Sequence, residues 1–263
     1  MVADDRLSHK LSVNLPPLGR VGIHRLSLVI RMIVKAFAVD VDGTLTDQKL
    51  LLDLKAVSLL RQLEARGIKV IITTGRNYSI TRALVGYLGT CGLMVAENGG
   101  VVGVYPRTRV VLGDASRSKQ GLEVLKTELG EEMIGLLDVP CRLVDIVLEP
   151  KFDIKSGNAI LARRNVKARL LSSGVAYHIL DSDVDKGKGL VEICKIGGVE
   201  LDNVVAVGDN YNDLEMLQAS AYGVAVSNAP EELKDKADFV CSNAYGKGFV
   251  EAVDHILSKF WST

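Results

Sequence analysis

The 263-residue sequence has no surplus of charge: Lys and Arg number 32, and so do Asp and Glu. That balance offers no electrostatic case for nucleic acid or an anionic membrane as partner, and any pull on an anionic ligand must be local. No apolar run approaches the ~20 residues that span a bilayer. Arg31 and Lys35 interrupt the one stretch that comes near, residues 26–39. The N-terminus does not read as a signal peptide, because acids precede its weakly apolar stretch. Cysteine is sparse: Cys91, Cys141, Cys194 and Cys241 are scattered without a Cys-x-x-Cys pair. Buried free thiols in a reducing, cytoplasmic compartment are expected. Histidine is sparse too, and none of His9, His24, His178 and His255 lies beside a nucleophile, so serine- or cysteine-triad hydrolysis finds no support.

What is present begins at Asp40-Val41-Asp42-Gly43-Thr44, directly after the apolar run of residues 33–39. Such a run, rich in β-branched residues, reads as a buried strand of a parallel sheet. Ligands of open α/β sheets bind beyond the carboxyl ends of the strands. Two carboxylates two residues apart point to the same side of an extended chain, and the following glycine permits a sharp turn. Turn chemistry explains Asp42-Gly43, since Asp-Gly is a common turn dipeptide and Asp often caps a helix. It leaves Asp40 unexplained.

The pattern recurs. Residues 67–72 form a second apolar run ending in Thr73-Thr74-Gly75-Arg76, and residues 203–207 a third ending in Gly208-Asp209-Asn210-Tyr211-Asn212-Asp213. A parallel sheet brings these ends to one edge. Four acids would then converge: Asp40, Asp42, Asp209 and Asp213. Their mutual repulsion is roughly 4 kcal/mol per pair at about 4 Å with an effective dielectric near 20, so the cluster calls for a cation. Oxygen-only ligation suits a hard ion, with Mg²⁺ the default beside phosphate and Mn²⁺ or Co²⁺ able to substitute. Lys186 and Lys188 precede another helical stretch and supply a positive charge for an anionic substrate.

These segments, in this order, resemble the four motifs of the haloacid dehalogenase phosphatase superfamily: DVDGT, a strand end Thr-Gly-Arg, an isolated Lys-Gly and GDNYND. The wide gap between the second and third resembles the branch that inserts a C2-type cap there, as in Cof-type hydrolases. Ala96-Glu97-Asn98-Gly99-Gly100 and Asn243-Ala244-Tyr245-Gly246 are most similar to archaeal-type phosphoglycolate phosphatases. The resemblance runs from Met32 to the C-terminus. It implies that Asp40 attacks phosphorus to form an aspartyl-phosphate and that Asp42 is the acid/base. Thr74, Gly75, Arg76 and Lys186 would hold the phosphoryl group. Asp40, the Asp42 carbonyl, Asp209 and Asp213 would hold Mg²⁺, with Asn212 close by. Lys186 fits the Lys-Gly motif better than Lys188. The implied reaction is hydrolysis of a small phosphomonoester, with 2-phosphoglycolate first. Sugar phosphates, or a phosphomannomutase reaction of the same branch, are the alternatives. A small phosphorylated metabolite is the expected partner, with the chain a monomer or homodimer.

The fold class expected is α/β: a doubly wound, mainly parallel sheet with a small inserted α+β cap. Residues 1–31 are expected to be a flexible extension, 32–106 the first part of the core, 107–182 the cap and 183–263 the second part. Apolar stripes predict helices over 54–66, 77–88, 187–196 and 249–260, with a strand over 92–104 that carries a Gly-Gly break. Within the cap the expected order is a strand, a helix over 121–129, a strand over 142–148, a helix over 158–171 and a strand over 175–180. Arg142, Lys151 and His178 are its candidates for a substrate carboxylate. Asp181, Asp183, Asp185 and Glu192 match positions of a calcium loop, but Lys186 occupies the position that needs glycine, which argues against it. A receiver-like phosphate-accepting module would need neither the insertion nor Asp213.

Overall fold

A computed structural model describes residues 32–260; the expected extension over 1–31 lies outside the described residues. In chain order the first elements are β1 (Ala36–Asp40), α1 (Leu54–Ala65), β2 (Lys69–Thr73), α2 (Tyr78–Leu88), β3 (Leu93–Ala96), β4 (Val101–Val104) and β5 (Thr108–Val111). Then come α3 (Ala115–Leu129), β6 (Ile146–Leu148), α4 (Ile154–Arg163), β7 (Ala168–Ser172) and β8 (Tyr177–Asp181). The chain finishes with α5 (Lys186–Gly197), β9 (Val204–Gly208), α6 (Leu214–Ala219), β10 (Tyr222–Ala225), α7 (Glu231–Lys234), β11 (Phe239–Val240) and α8 (Tyr245–Phe260).

The main sheet has the order β11-β10-β9-β1-β2-β3-β4-β5. Alternation along β1 shows why it is covered on both faces. Phe37 and Val39 enter one apolar layer with Leu60, Leu63, Val85 and Phe249. Ala36 and Ala38 enter the other with Leu190, Ile193 and Met216. Both sets are excluded from water, as a central parallel strand requires. Chain order ascends from β1 in one direction through β2 and β3, and resumes in the other through β9, β10 and β11. The reversal therefore falls between β1 and β9, where open sheets of this kind bind ligands. Local chemistry fixes the helices around it: Asp53, Asn77 and Asp185 cap α1, α2 and α5 by accepting from backbone N–H groups at 2.7–3.1 Å. Each such cap stabilises by about 1 kcal/mol.

A second, three-stranded antiparallel sheet (β6-β8-β7) lies between β5 and α5 in sequence. With α3 and α4 it encloses its own apolar cluster, including Leu125, Leu148, Leu161, Leu170 and Ile179. The doubly wound core with an α+β insertion thus matches expectation, while several limits shift. The strand expected to open the insertion is β5, which pairs antiparallel with β4 and extends the main sheet. The region over 92–104 is two antiparallel strands, because Glu97, Asn98 and Gly99 all take positive φ (50°, 53° and 97°) and reverse the chain. The helix expected over 158–171 is α4, begun earlier by the Asp153 cap on Ser156 N–H. It stops before Asn165 at φ 55°, and residues 168–172 are a strand instead. The strand expected over 142–148 shrinks to 146–148, since the N–H groups of Leu143 and Val144 donate to the Glu97 carboxylate. All four cysteines are free, but only Cys194 and Cys241 are buried. Cys91 and Cys141 are exposed in connecting segments, against the expectation of burial. Among the described residues no helix is long and apolar enough to cross a membrane.

Candidate active site

Asp40 ends β1 in register with Thr73 of β2, one residue past the pairing of Val39 with Val207 of β9. The chain then turns through Gly43 at φ 92°. A Cβ at Gly43 would fall 2.2 Å from Asp209 Oδ2, so the glycine is what lets the loop after β1 meet the end of β9. Asp209 accepts from the Thr44 hydroxyl at 3.1 Å and from Asn228 Nδ2 at 3.2 Å. Asp213 Oδ2 accepts from the backbone N–H groups of Asp209 and Asn210, each at 3.0 Å.

Lys186, at the start of α5, is 1% exposed and donates to Asp40 Oδ1 and Asp213 Oδ1, each at 2.6 Å. Burial alone would lower its pKa, but the two carboxylates more than offset this and hold it above the ordinary value. Burial, with the charges of Asp213 and Asp209, pushes Asp40 up, while Lys186 pulls it back. Burial and Asp213 push Asp209 up to about 7, against the pull of Lys186 and Thr44. Oxygen atoms of Asp40, Asp209 and Asp213 all lie within 4.8 Å of one another. Three buried carboxylates with one ammonium among them leave net negative charge in a low-dielectric site. That donor set, all oxygen, fits a hard divalent cation.

Asp42 lies in the same cavity but its side chain is clasped by Arg76: Nε donates to Oδ2 at 2.7 Å and Nη2 to Oδ1 at 2.6 Å. Arg76 N–H in turn donates to the hydroxyl of Thr74, which is fully buried. The cavity, about 290 Å³, is walled on the sheet side by Asp40, Asp42, Gly75, Arg76, Asp209 and Asn212. Arg142, His178 and the apolar Leu137, Val139, Val147 and Val175 wall it on the other. Thr74, Lys186 and Asp213 do not line it. Lys188 is exposed and bonded to the Asp183 carbonyl, so it does not compete with Lys186. Of the three cap candidates, Arg142 and His178 reach the cavity. Lys151 does not: it is half exposed and paired with Glu149 at 2.5 Å. The calcium-loop carboxylates are committed elsewhere, Asp181 and Asp183 to Arg117 and Asp185 to the α5 cap.

Four further residues shape the site. Thr44 and Asn228 hold Asp209, and Asn228 also donates to the Gly43 carbonyl at 3.0 Å. Asn98 accepts from Asn212 Nδ2 at 2.9 Å. Glu97 anchors the segment that carries Arg142. Asn228 follows β10, whose carboxyl end neighbours that of β9, so the strand-end rule that picked out Asp209 extends to it.

An acidic, lysine-bridged cluster at the switch point of a doubly wound sheet, sharing one cavity with an inserted α+β layer, is the architecture of a capped α/β enzyme. Residues 37–132 and 143–253 match the model for haloacid dehalogenase-like hydrolases. The chain belongs to that family. It is 38% identical over 223 residues to a phosphoglycolate phosphatase of Archaeoglobus fulgidus, covering 84% of this chain and 96% of the relative. A phosphoglycolate phosphatase of Methanothermobacter thermautotrophicus is also 38% identical, over 85% of this chain and 99% of its own. Among solved structures, one from Thermoplasma acidophilum superposes with TM-score 0.75 at 24% identity, covering 85% of this chain and 98% of the other. A haloacid dehalogenase-like hydrolase of B. subtilis gives 0.70 at 21%, covering 86% and 99%. Both structures share the fold.

Proposed function

We propose that the protein is a Mg²⁺-dependent phosphomonoesterase that hydrolyses 2-phosphoglycolate to glycolate and phosphate through an aspartyl-phosphate. The observation that carries the reading is the Lys186 bridge: a buried ammonium fixed at 2.6 Å to both Asp40 and Asp213 at the mouth of the sheet. A carboxylate held this way is oriented and kept ionisable in a buried site, which is what a nucleophile needs. The names of the archaeal relatives support the choice of substrate.

Lys186 takes Asp40 Oδ1 and leaves Oδ2 to attack phosphorus. As the new P–O bond forms, the bond to the leaving oxygen breaks and Asp42 delivers a proton to that oxygen. Water then attacks the phosphorus of the acyl phosphate, Asp42 takes its proton, and phosphate and free Asp40 result. Both Asp42 oxygens are held by Arg76, so at least one of those bonds opens when Asp42 transfers a proton. Asp40, Asp209 and the main-chain carbonyl of Asp42 would hold the Mg²⁺. Bound there, it neutralises charge on the transferring phosphoryl group. Asp213 orients Lys186 and the loop bearing Asp209 and completes the acidic cluster that would surround the metal. The apolar wall limits water around the intermediate. Four unpaired thiols support a reducing, cytoplasmic setting.

The test is phosphate release from a panel of small phosphomonoesters with Mg²⁺ and with a chelator. A preference for 2-phosphoglycolate that the chelator abolishes supports the reading. Comparable rates on sugar phosphates move the substrate to that class, and return of the phosphoryl group to a sugar makes the enzyme a mutase. No release from any compound overturns it.

A further inference from the structure

We infer that Arg142, held in place by Asp145 beside His178, forms a carboxylate-reading subsite, which restricts the enzyme to phosphomonoesters whose alcohol carries a terminal carboxylate. The inference deepens the phosphatase reading and rests on it for the position of the phosphoryl end.

The subsite is a cluster built around Asp145, whose side chain is wholly buried. Arg142 Nη1 donates to both Asp145 oxygens at 2.6 Å, and His178 Nδ1 meets Asp145 Oδ2 at 2.8 Å. Burial would raise the Asp145 pKa, yet the His178 hydrogen bond and the Arg142 charge hold it below the ordinary carboxylate value. An ionised Asp145 fixes the orientation of both neighbours. Arg142 Nη1 also donates to the Gly75 carbonyl at 3.0 Å, tying the insertion to the loop that carries Arg76.

Arg142 and His178 both line the cavity that holds Asp40 and Asp42. Their side chains are 11% and 6% exposed. Among the described residues, the second Arg142 amino group (Nη2) and the other His178 ring nitrogen make no hydrogen bond, and Arg142 Nε is buried without a partner. A guanidinium with only Nη1 committed to a buried carboxylate and Nη2 without a partner is set to receive a second carboxylate. Arg76, the other cation of the cavity wall, is already engaged by Asp42. The rest of the wall on this side is Leu137, Val139, Val147, Val175 and Ala176 with one hydroxyl, Ser173, whose proton goes to the Ala176 carbonyl at 3.2 Å, which would leave most hydroxyls of a sugar without partners.

The experiment compares the intact enzyme with Arg142→Met and Arg142→Lys on two matched pairs. One pair is 2-phosphoglycolate and 2-hydroxyethyl phosphate, scored by kcat/KM with Mg²⁺. The other is 3-phosphonopropionate and propylphosphonate, which cannot turn over, scored by calorimetric binding. The unmodified enzyme should favour the carboxylate member of each pair by about 10- to 100-fold, the range of a charged hydrogen bond. In Arg142→Met that preference should fall close to one, and Arg142→Lys should keep part of it. His178→Gln should reduce it as well. Equal losses on both members of a pair, or an unchanged preference, would overturn the subsite. If no ester is hydrolysed but 3-phosphonopropionate still binds preferentially through Arg142, the phosphatase reading fails and the subsite stands. Turnover without any carboxylate preference overturns the subsite and leaves the phosphatase reading in place.

Discussion

Lys186 Nζ lies 2.6 Å from Asp40 Oδ1, although 146 residues separate them in sequence. The contact joins the start of α5 to the end of β1, and the same ammonium reaches Asp213 across the loop after β9. Three chain segments meet on one charge. Removing it leaves two buried carboxylates facing each other. Lys186→Met should therefore destabilise by about 3–5 kcal/mol, the usual result of breaking a buried ion pair from one side. It should also lower turnover by at least about 100-fold. Denaturant unfolding and phosphate release read the two effects separately.

Arg76 and Asp42 make a bidentate pair within the cavity. If Arg76 positions the acid/base, Arg76→Lys, which keeps the charge but not the fork, should cut kcat by about 10- to 100-fold. KM should change less. A KM effect alone would make Arg76 a substrate ligand instead.

Glu97 is buried and accepts the N–H groups of Leu143 and Val144 at 2.9 Å, holding the segment that carries Arg142 and Asp145. Glu97→Gln replaces one acceptor oxygen with a donor facing those N–H groups. A loss of about 1–3 kcal/mol is expected. Hydrogen exchange should speed up first at Leu143 and Val144, before the main sheet opens.

Metal should stabilise as well as activate. Adding Mg²⁺ at about 100 times its Kd should raise stability by about 2.7 kcal/mol, or a Tm rise of roughly 5–10 °C for a chain of this size. Asp209→Asn should lose most of that shift, and higher Mg²⁺ should partly restore its rate. A chelator should abolish turnover of the unmodified enzyme.

Much of this site was legible because strand ends announce themselves. Asp40, Asp42, Thr74, Arg76 and Asp209 each follow an apolar run, and parallel register brings them to one edge without further information. The choice of Lys186 over Lys188 came from motif resemblance. Its physical basis, burial between two carboxylates, is tertiary. The fate of charged residues in the insertion was not legible for the same reason. Arg142 and Lys151 look alike in sequence, but Asp145 draws one into the cavity, while Glu149 holds the other at the surface. The limits of β3, β4 and β7 were missed because they turn on residues with positive φ, at 97–99 and 165. Apolar periodicity does not report those conformations. The strand-end rule reaches Asn228, but its partners, like those of Glu97, are distant in sequence, and no local pattern encodes them.

The most direct test of the covalent mechanism is phosphate release from 2-phosphoglycolate by the unmodified enzyme and by Asp40→Asn, with Mg²⁺, alongside mass analysis of acid-quenched protein for phosphate on Asp40. Turnover and a labelled Asp40 are expected in the first, and a folded, unlabelled protein without turnover in the second. Near-normal phosphate release by Asp40→Asn would contradict nucleophilic attack by Asp40.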